Sequence, residues 1–150
     1  MRILVQRVSR ASVTIDGREH SHIGRGLLVL AGIEAADGDE DIAWLAGKLL
    51  RLRIFDDWAG VMNLDVTQEG GDIMVVSQFT LYASTRKGNR PSYMRSAPEA
   101  VSRPMYDRFV ERLRREFAGE VATGVFGADM QVELVNDGPV TIWIDSRNRE

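Results

Sequence analysis

The stretch MQVELVNDGPVTIWID, residues 130–145, alternates apolar and polar positions up to Val135, breaks at Asn136-Asp137-Gly138-Pro139, and resumes as Val140-Thr141-Ile142-Trp143-Ile144. Period-two alternation on both sides of the break reads as two strands that meet at a Gly-Pro corner. Proline has no N–H to give a ladder and is kept out of central strands, so Gly138-Pro139 marks special backbone between two good strand runs. Two geometries are open at this corner. One is an ordinary type I or type II turn with Pro139 at its second position. The other is a cis Gly138-Pro139 bond, which only X-Pro peptides reach at modest cost, about 0.5–1 kcal/mol. A cis bond would aim two successive carbonyls the same way, a grip suited to a ligand amine.

Outward from the corner, residues 2–9 and 12–15 read as strands, Asp16-Gly17 as a hairpin signal, and residues 26–33 as a further strand built on Leu27-Leu28-Val29-Leu30. The period then changes. Ile42, Leu45, Ala46, Leu49 and Leu52 recur at helical spacing, with Asp37, Asp39, Glu40 and Asp41 at the start and Lys48, Arg51 and Arg53 toward the end, as the helix dipole favours. A short strand is expected at residues 53–55, a turn around residues 57–60, and a central strand from Asp72 through Ser77 into Leu81. A second helix is expected within residues 98–117 on the stripe Met105, Phe109, Val110, Leu113 and Phe117; Pro98 and Pro104 leave its start open. Residues 121–123 complete a strand-rich α+β chain with no regular βαβ alternation, which argues against a doubly wound sheet. The last residues, Arg147-Asn148-Arg149-Glu150, read as a frayed polar end.

One hundred and fifty residues with 44% hydrophobic content suit a single domain, residues 1–150, with a proper core. The chain has no Cys, which removes disulfides, thiolate nucleophiles and Cys-based zinc sites. No apolar run approaches the roughly 18 residues of a membrane span, and the start is too short for a signal peptide; a soluble cytoplasmic protein with no membrane partner is expected. The net charge of −3 is the wrong sign for nonspecific coating of nucleic acid, so any RNA contact is local. Between Asp72 and Glu99 there is no acidic residue, while Arg86, Lys87, Arg90 and Arg95 fall in a polar stretch with Gly88 and Pro91. That stretch is either a solvated basic loop or a phosphate-contacting one.

Side-chain machinery for hydrolysis is scarce. There is no Gly-x-Ser-x-Gly elbow, and His20 and His22 lie near a polar turn without a third metal ligand close by. Gly24-Arg25-Gly26 lacks the rest of a phosphate loop and reads as a turn. Polar residues nevertheless cluster where the buried run Ile73-Met74-Val75-Val76 ends, as Ser77-Gln78-Phe79-Thr80-Leu81. Ser77 and Thr80 are tempting nucleophiles, but a hydroxyl without an adjacent base is weak at neutral pH, and shaping the strand end is the plainer role.

The pair of segments, Ser77-Gln78-Phe79-Thr80-Leu81 and Asn136-Asp137-Gly138-Pro139-Val140-Thr141, resembles the two signature motifs of the D-aminoacyl-tRNA deacylase (D-tyrosyl-tRNA(Tyr) deacylase) family. Gln6-Arg7-Val8 with Ala11-Ser12-Val13, the loop Lys87-Gly88-Asn89-Arg90-Pro91-Ser92, and Phe126-Gly127-Ala128-Asp129-Met130 extend the likeness over essentially the whole chain. Tyr93 departs from it, standing where the family commonly has Phe. The resemblance implies a partly closed β-barrel with two flanking helices, and a homodimer with its active sites at the subunit interface. It implies no metal and no cofactor. Catalysis would rest on Ser77, Gln78, Phe79 and Thr80, with backbone N–H groups around Gln78, Phe79 and Thr80 holding the ester carbonyl while the 2′-hydroxyl of the terminal adenosine assists water.

The same resemblance makes Gly138 and Pro139 a Gly-cisPro motif that enters the partner's site and rejects L-aminoacyl groups, with Arg7, Asn136 and Asp137 as its support. D-residues pass such a filter, and so does glycine, which leaves glycyl-tRNA mischarged on tRNA-Ala as a further substrate. Arg86, Lys87 and Arg90 are the expected contacts to the tRNA 3′ acceptor end. Two alternatives stand beside this reading: a related trans-editing deacylase for small L-aminoacyl groups, in which the Gly-Pro bond is trans, and a non-catalytic module that binds the acceptor end.

Overall fold

The structure is a computed structural model and describes residues 1–149. Its organising element is β1, Arg2–Ile15, one strand of 14 residues where the sequence reads as two. The first half of β1 pairs antiparallel with β3, Gly26–Gly32, and the second half with β2, Arg18–Ile23. Along its other edge runs β8, Gln131–Asp145, also a single strand where two were expected. The sheet continues from β3 to β6, Asp72–Ser77, and on to β7, Val121–Thr123, both joined in parallel. Ser21 Oγ on β2 donates to the Thr123 carbonyl on β7 at 2.8 Å, which nearly closes the sheet into a barrel.

Two cores follow from this geometry. Val8, Ala11, Val13, Ile23, Leu28, Met74, Val76 and Ala122 fill the barrel. Ile3, Val5, Leu27, Val29, Ile73 and Val75 face the other way, against helices α1, Asp39–Leu50, and α3, Glu99–Glu116. The two long strands serve both cores. On β1, Ile3 and Val5 point to the helices but Ala11 and Val13 into the barrel, although all four are odd-numbered. On β8, Val132 and Leu134 point into the barrel but Val140 and Ile144 to the helices. A side-chain period of two allows such a switch only where residues are inserted into the ladder. The insertion is visible in the register. Gln6 pairs with Thr141 and Val8 with Asn136, so Arg7 alone stands against four residues of β8, Asp137, Gly138, Pro139 and Val140, which switches the face of β8. Arg10 then pairs with Val135, so Ser9 is an extra residue in β1 and switches the face of that strand.

The Gly-Pro corner is therefore a wide bulge within one strand, at the crossover between cores. Gly138 takes φ +123°, a region that an L side chain rarely adopts, and a Cβ there would meet Arg7 Nη2 at 2.8 Å. None of the described residues has a cis peptide bond, so Gly138-Pro139 is trans, which corrects the cis expectation. The inserted residues and the positive φ turn the chain without isomerising the amide.

Other boundaries move as well. The strand expected at residues 53–55 is β4, Phe55–Asp56, which pairs with β5, Met62–Leu64, in a separate two-stranded sheet. A one-turn helix α2, Val66–Glu69, follows, capped by Asp65, whose side chain accepts from the Gln68 amide. Helix α3 starts directly after Pro98 and keeps Pro104 in its interior, at an exposed position where one backbone bond is forgone. β6 ends at Ser77; a 3-10 turn, Phe79–Tyr82, replaces its expected extension to Leu81. The C-terminal segment is tied down rather than frayed through Arg149: Arg147 bonds Asp37 at 3.1 Å, and the Arg149 guanidinium covers Trp44. Glu150 lies outside the described residues.

Candidate active site

At the end of β6 the buried strand opens into a pocket of about 340 Å³. Ser77, Gln78 and Phe79 form one wall, Ala31 and Ile33 continue from β3, and the segment from Phe126 to Met130 forms the opposite side. Tyr106 of α3 steadies the strand beneath by donating to the Val75 carbonyl at 2.8 Å; burial pushes its phenol above the ordinary range. Ala97, just before α3, and Ser102, in its first turns, also line the pocket.

The 3-10 turn defines the polar mouth. Its near end is fixed by the Gln78 amide on the Ala31 carbonyl at 2.7 Å, and its middle by Ser96 Oγ on the Phe79 carbonyl, also at 2.7 Å. Leu81 N–H closes back on the Gln78 carbonyl at 3.3 Å, so the first amides of the turn, those of Phe79 and Thr80, precede any i to i−3 partner within it. Gly32 lets the turn lie flat on β3, since a Cβ there would come within 2.9 Å of the Gln78 carbonyl oxygen.

Thr80 does not line the pocket, and its hydroxyl accepts from Gln78 Nε2 at 2.6 Å. A neutral amide donor cannot take a proton from it, so Thr80 is not equipped as a nucleophile here. Asp129 is the sole ionisable residue among the described pocket-lining residues, and it is exposed. Phe79 is 56% exposed and meets Tyr93 edge-on with ring centroids 5.0 Å apart. This contact hangs the basic loop beside the mouth. Ser84 and Ser92 close that loop with two backbone bonds of 2.8 and 2.9 Å, leaving Arg86, Lys87 and Arg90 exposed between them.

The corner is built differently. Arg7, only 5% exposed, donates from Nη1 to the Ile54 carbonyl at 2.6 Å and from Nε to the Asp137 carbonyl at 3.1 Å. Asn136 Nδ2 donates to the carbonyls of both Arg7 and Val140 at 3.0 Å, clamping the bulge across its base. Arg25, which the sequence reading left in a plain turn, reaches Asp137 Oδ2 at 3.6 Å. Arg7, Asn136 and Asp137 thus converge on the corner, whereas Gly138 and Pro139 are exposed.

Within one chain the two motifs do not meet. Arg7 pairs with Leu27, at the start of β3, whereas Ser77 pairs with Ala31, near its end. Four residues of strand separate them by about 13 Å along the sheet, and no residue of the corner lines the pocket. His20 and His22 lie on β2, and His22 pairs with Glu19 at 2.8 Å. Pocket contributions from Ala31, Ile33, Ala97 and Ser102 carry no motif and were not legible as site residues. The segment from Phe126 to Met130 was visible only through its likeness to known sequences.

Known proteins similar in sequence and shape define the class. Two curated relatives, from Bacteroides thetaiotaomicron and Chromobacterium violaceum, are 59% and 60% identical over the full length of both chains, and each is named D-aminoacyl-tRNA deacylase. A solved structure named c-Myc DNA Unwinding Element Binding Protein superposes with a TM-score of 0.92 at 41% identity, covering 97% of this chain and 98% of its own. The chain belongs to the D-Tyr-tRNA(Tyr) deacylase family, whose model matches residues 4–145.

Proposed function

We propose that the chain hydrolyses the ester of D-aminoacyl-tRNA to free D-amino acid and tRNA, and that it does so as a homodimer. The observation that carries this reading is the separation of the two motifs: a pocket with a backbone-lined mouth at one end of β3, and a braced corner exposed at the other. A second copy related by a twofold axis would bring the corner of each subunit to the pocket of its partner.

The chemistry follows from what the mouth offers. The amides of Phe79 and Thr80 hold the developing oxyanion, and the pocket walls orient the ester. The residues at the mouth include no nucleophile and base in contact, so the proton transfer falls to the substrate's own 2′-hydroxyl and water. Arg86, Lys87 and Arg90 meet the acceptor-end phosphates without reading sequence. Gly138 and Pro139 act as a wall: an L side chain would run into it, a D side chain points away, and glycine passes. Glycyl-tRNA is therefore a further substrate. The wall works by excluded volume, so the trans bond is compatible with it.

The trans Gly138-Pro139 bond also favours a second reading, cleavage of small L-aminoacyl groups. Matched D-tyrosyl-, L-tyrosyl-, L-alanyl- and glycyl-tRNA, incubated with catalytic amounts of protein, separate the readings. Release from the D and glycyl substrates alone supports the filter; release of L-alanine overturns it. Tight binding without turnover of any substrate would make the protein an acceptor-end binding module. Pro139→Ala should admit L-tyrosyl-tRNA, and full L-rejection in that variant would remove Pro139 from the filter.

A further inference from the structure

Arg2 opens β1 and pairs in register with Asp145 at the end of β8. Its Nε donates to Asp145 Oδ2 at 2.8 Å, and its Nη1 crosses to the 3-10 turn, donating to the Leu81 carbonyl at 3.0 Å. The guanidinium lies 4.3 Å above the ring of Tyr82, the last residue of the turn and fully buried, with Trp143 flanking it at 5.3 Å. The turn is thereby pinned at three points: Gln78 on Ala31 at the near end, Ser96 on Phe79 in the middle, and Arg2 on Leu81 at the far end. The first two anchors act on the near end and the middle of the turn and leave its far end, seated by the packing of Tyr82, the freedom to tilt. A planar fork that holds the Leu81 carbonyl and covers the Tyr82 ring removes that freedom.

We propose that Arg2 is a positioning residue for deacylation: it touches no substrate, and through Leu81 and Tyr82 it fixes the direction in which the Phe79 and Thr80 amides point. This rests on the reading that those amides hold the ester carbonyl. Asp145 is part of the same device, because it holds the guanidinium in plane. Tilting the turn by a fraction of an ångström would leave the pocket walls, and so substrate binding, in place while spoiling the oxyanion geometry.

The test compares Arg2→Met, Arg2→Lys and Asp145→Asn with wild type on D-tyrosyl-tRNA, with Ser146→Ala as a control that disturbs the neighbouring terminus but not the turn. Wild-type turnover is measured first; its absence would sink the deacylase reading and this proposal with it, whereas the variant outcomes below bear on this proposal alone. Given turnover, Arg2→Met should lower kcat about ten- to hundredfold at nearly constant KM. Arg2→Lys, a point charge that cannot span Asp145 and Leu81 as a fork, should recover part of the loss, and Asp145→Asn should fall between Lys and wild type. Ser146→Ala should keep the wild-type kcat even if it lowers the melting temperature. Unchanged kcat in Arg2→Met, or a rise in KM alone, overturns the proposal. Should Arg2→Met fail to fold, Arg2→Lys decides on the same criterion.

Discussion

The corner and the mouth are both made of backbone, yet they are held in opposite ways. At the corner, a buried arginine and a clamping asparagine hold four backbone carbonyls, those of Ile54, Asp137, Arg7 and Val140. The mouth is a single 3-10 turn with an exposed Phe79 and a hydroxyl that bonds only a neighbouring side chain. A wall must not yield when the wrong substrate pushes on it, whereas a carbonyl-binding turn needs only its direction fixed. Four side-chain bonds brace the corner, whereas the turn is pinned at three points along its length.

Breaking the corner should have the larger effect. Arg7→Met leaves the Ile54 and Asp137 carbonyls without their donor and should cost about 2–4 kcal/mol in urea denaturation, most of it from those bonds. The ion pairs add little, since the Asp56 and Asp137 side chains are 44% and 31% exposed. The same variant should lose discrimination against L-tyrosyl-tRNA before it loses turnover of the D substrate. Unchanged discrimination would show that the corner holds its shape without Arg7. Asn136→Ala removes two side-chain bonds at the base of the bulge, and a loss of about 1–2 kcal/mol is expected, with a smaller loosening of selectivity.

Much of this contrast was legible in the sequence. Arg7 was legible through the family resemblance, as a brace of the corner; its phase with Ile3 and Val5 on β1 is a second signal, which the resemblance did not need. The special backbone at Gly138-Pro139 was equally plain. Its form was not, because alternation reports which face a residue takes and is silent on whether a break is a turn between strands or an insertion within one. The switch of β1 and β8 from one core to the other is a consequence of ladder register, which depends on both strands at once. Pro104 left the start of α3 open for a related reason: whether the apolar stripe outweighs the one backbone bond that the proline removes is decided by packing. The Asp65-to-Gln68 capping box was a readable signal for α2 that helical periodicity over one turn could not supply. The pocket drew on Ala97 and Ser102, ordinary residues that tertiary packing alone makes into a lining.

The mouth offers gentler tests. Thr80→Ala loses one hydrogen bond with Gln78 and no reacting group, so kcat on D-tyrosyl-tRNA should fall less than about fivefold, roughly 1 kcal/mol. A loss of several orders of magnitude with folding and tRNA binding intact would instead make Thr80 the nucleophile, and the mouth would then be a side-chain device after all.

The smallest change sharpens the contrast most. Tyr82 ends the turn fully buried, and among the described residues its hydroxyl has no hydrogen-bond partner. Burial first, then the carboxylates of Asp37, Glu34 and Asp145, pushes its phenol well above the ordinary value, so it stays neutral. A neutral hydroxyl buried without a partner carries a desolvation cost and returns nothing to the fold. Tyr82→Phe keeps the ring beneath Arg2 and removes that cost. It should leave kcat unchanged and alter stability by no more than about 1 kcal/mol, toward stabilisation. A clear loss of stability would mean that the hydroxyl is bonded in solution, through water to the acidic groups beside it. The turn would then be anchored by a polar network of the kind that holds the corner, and the difference between the two sites would be one of degree.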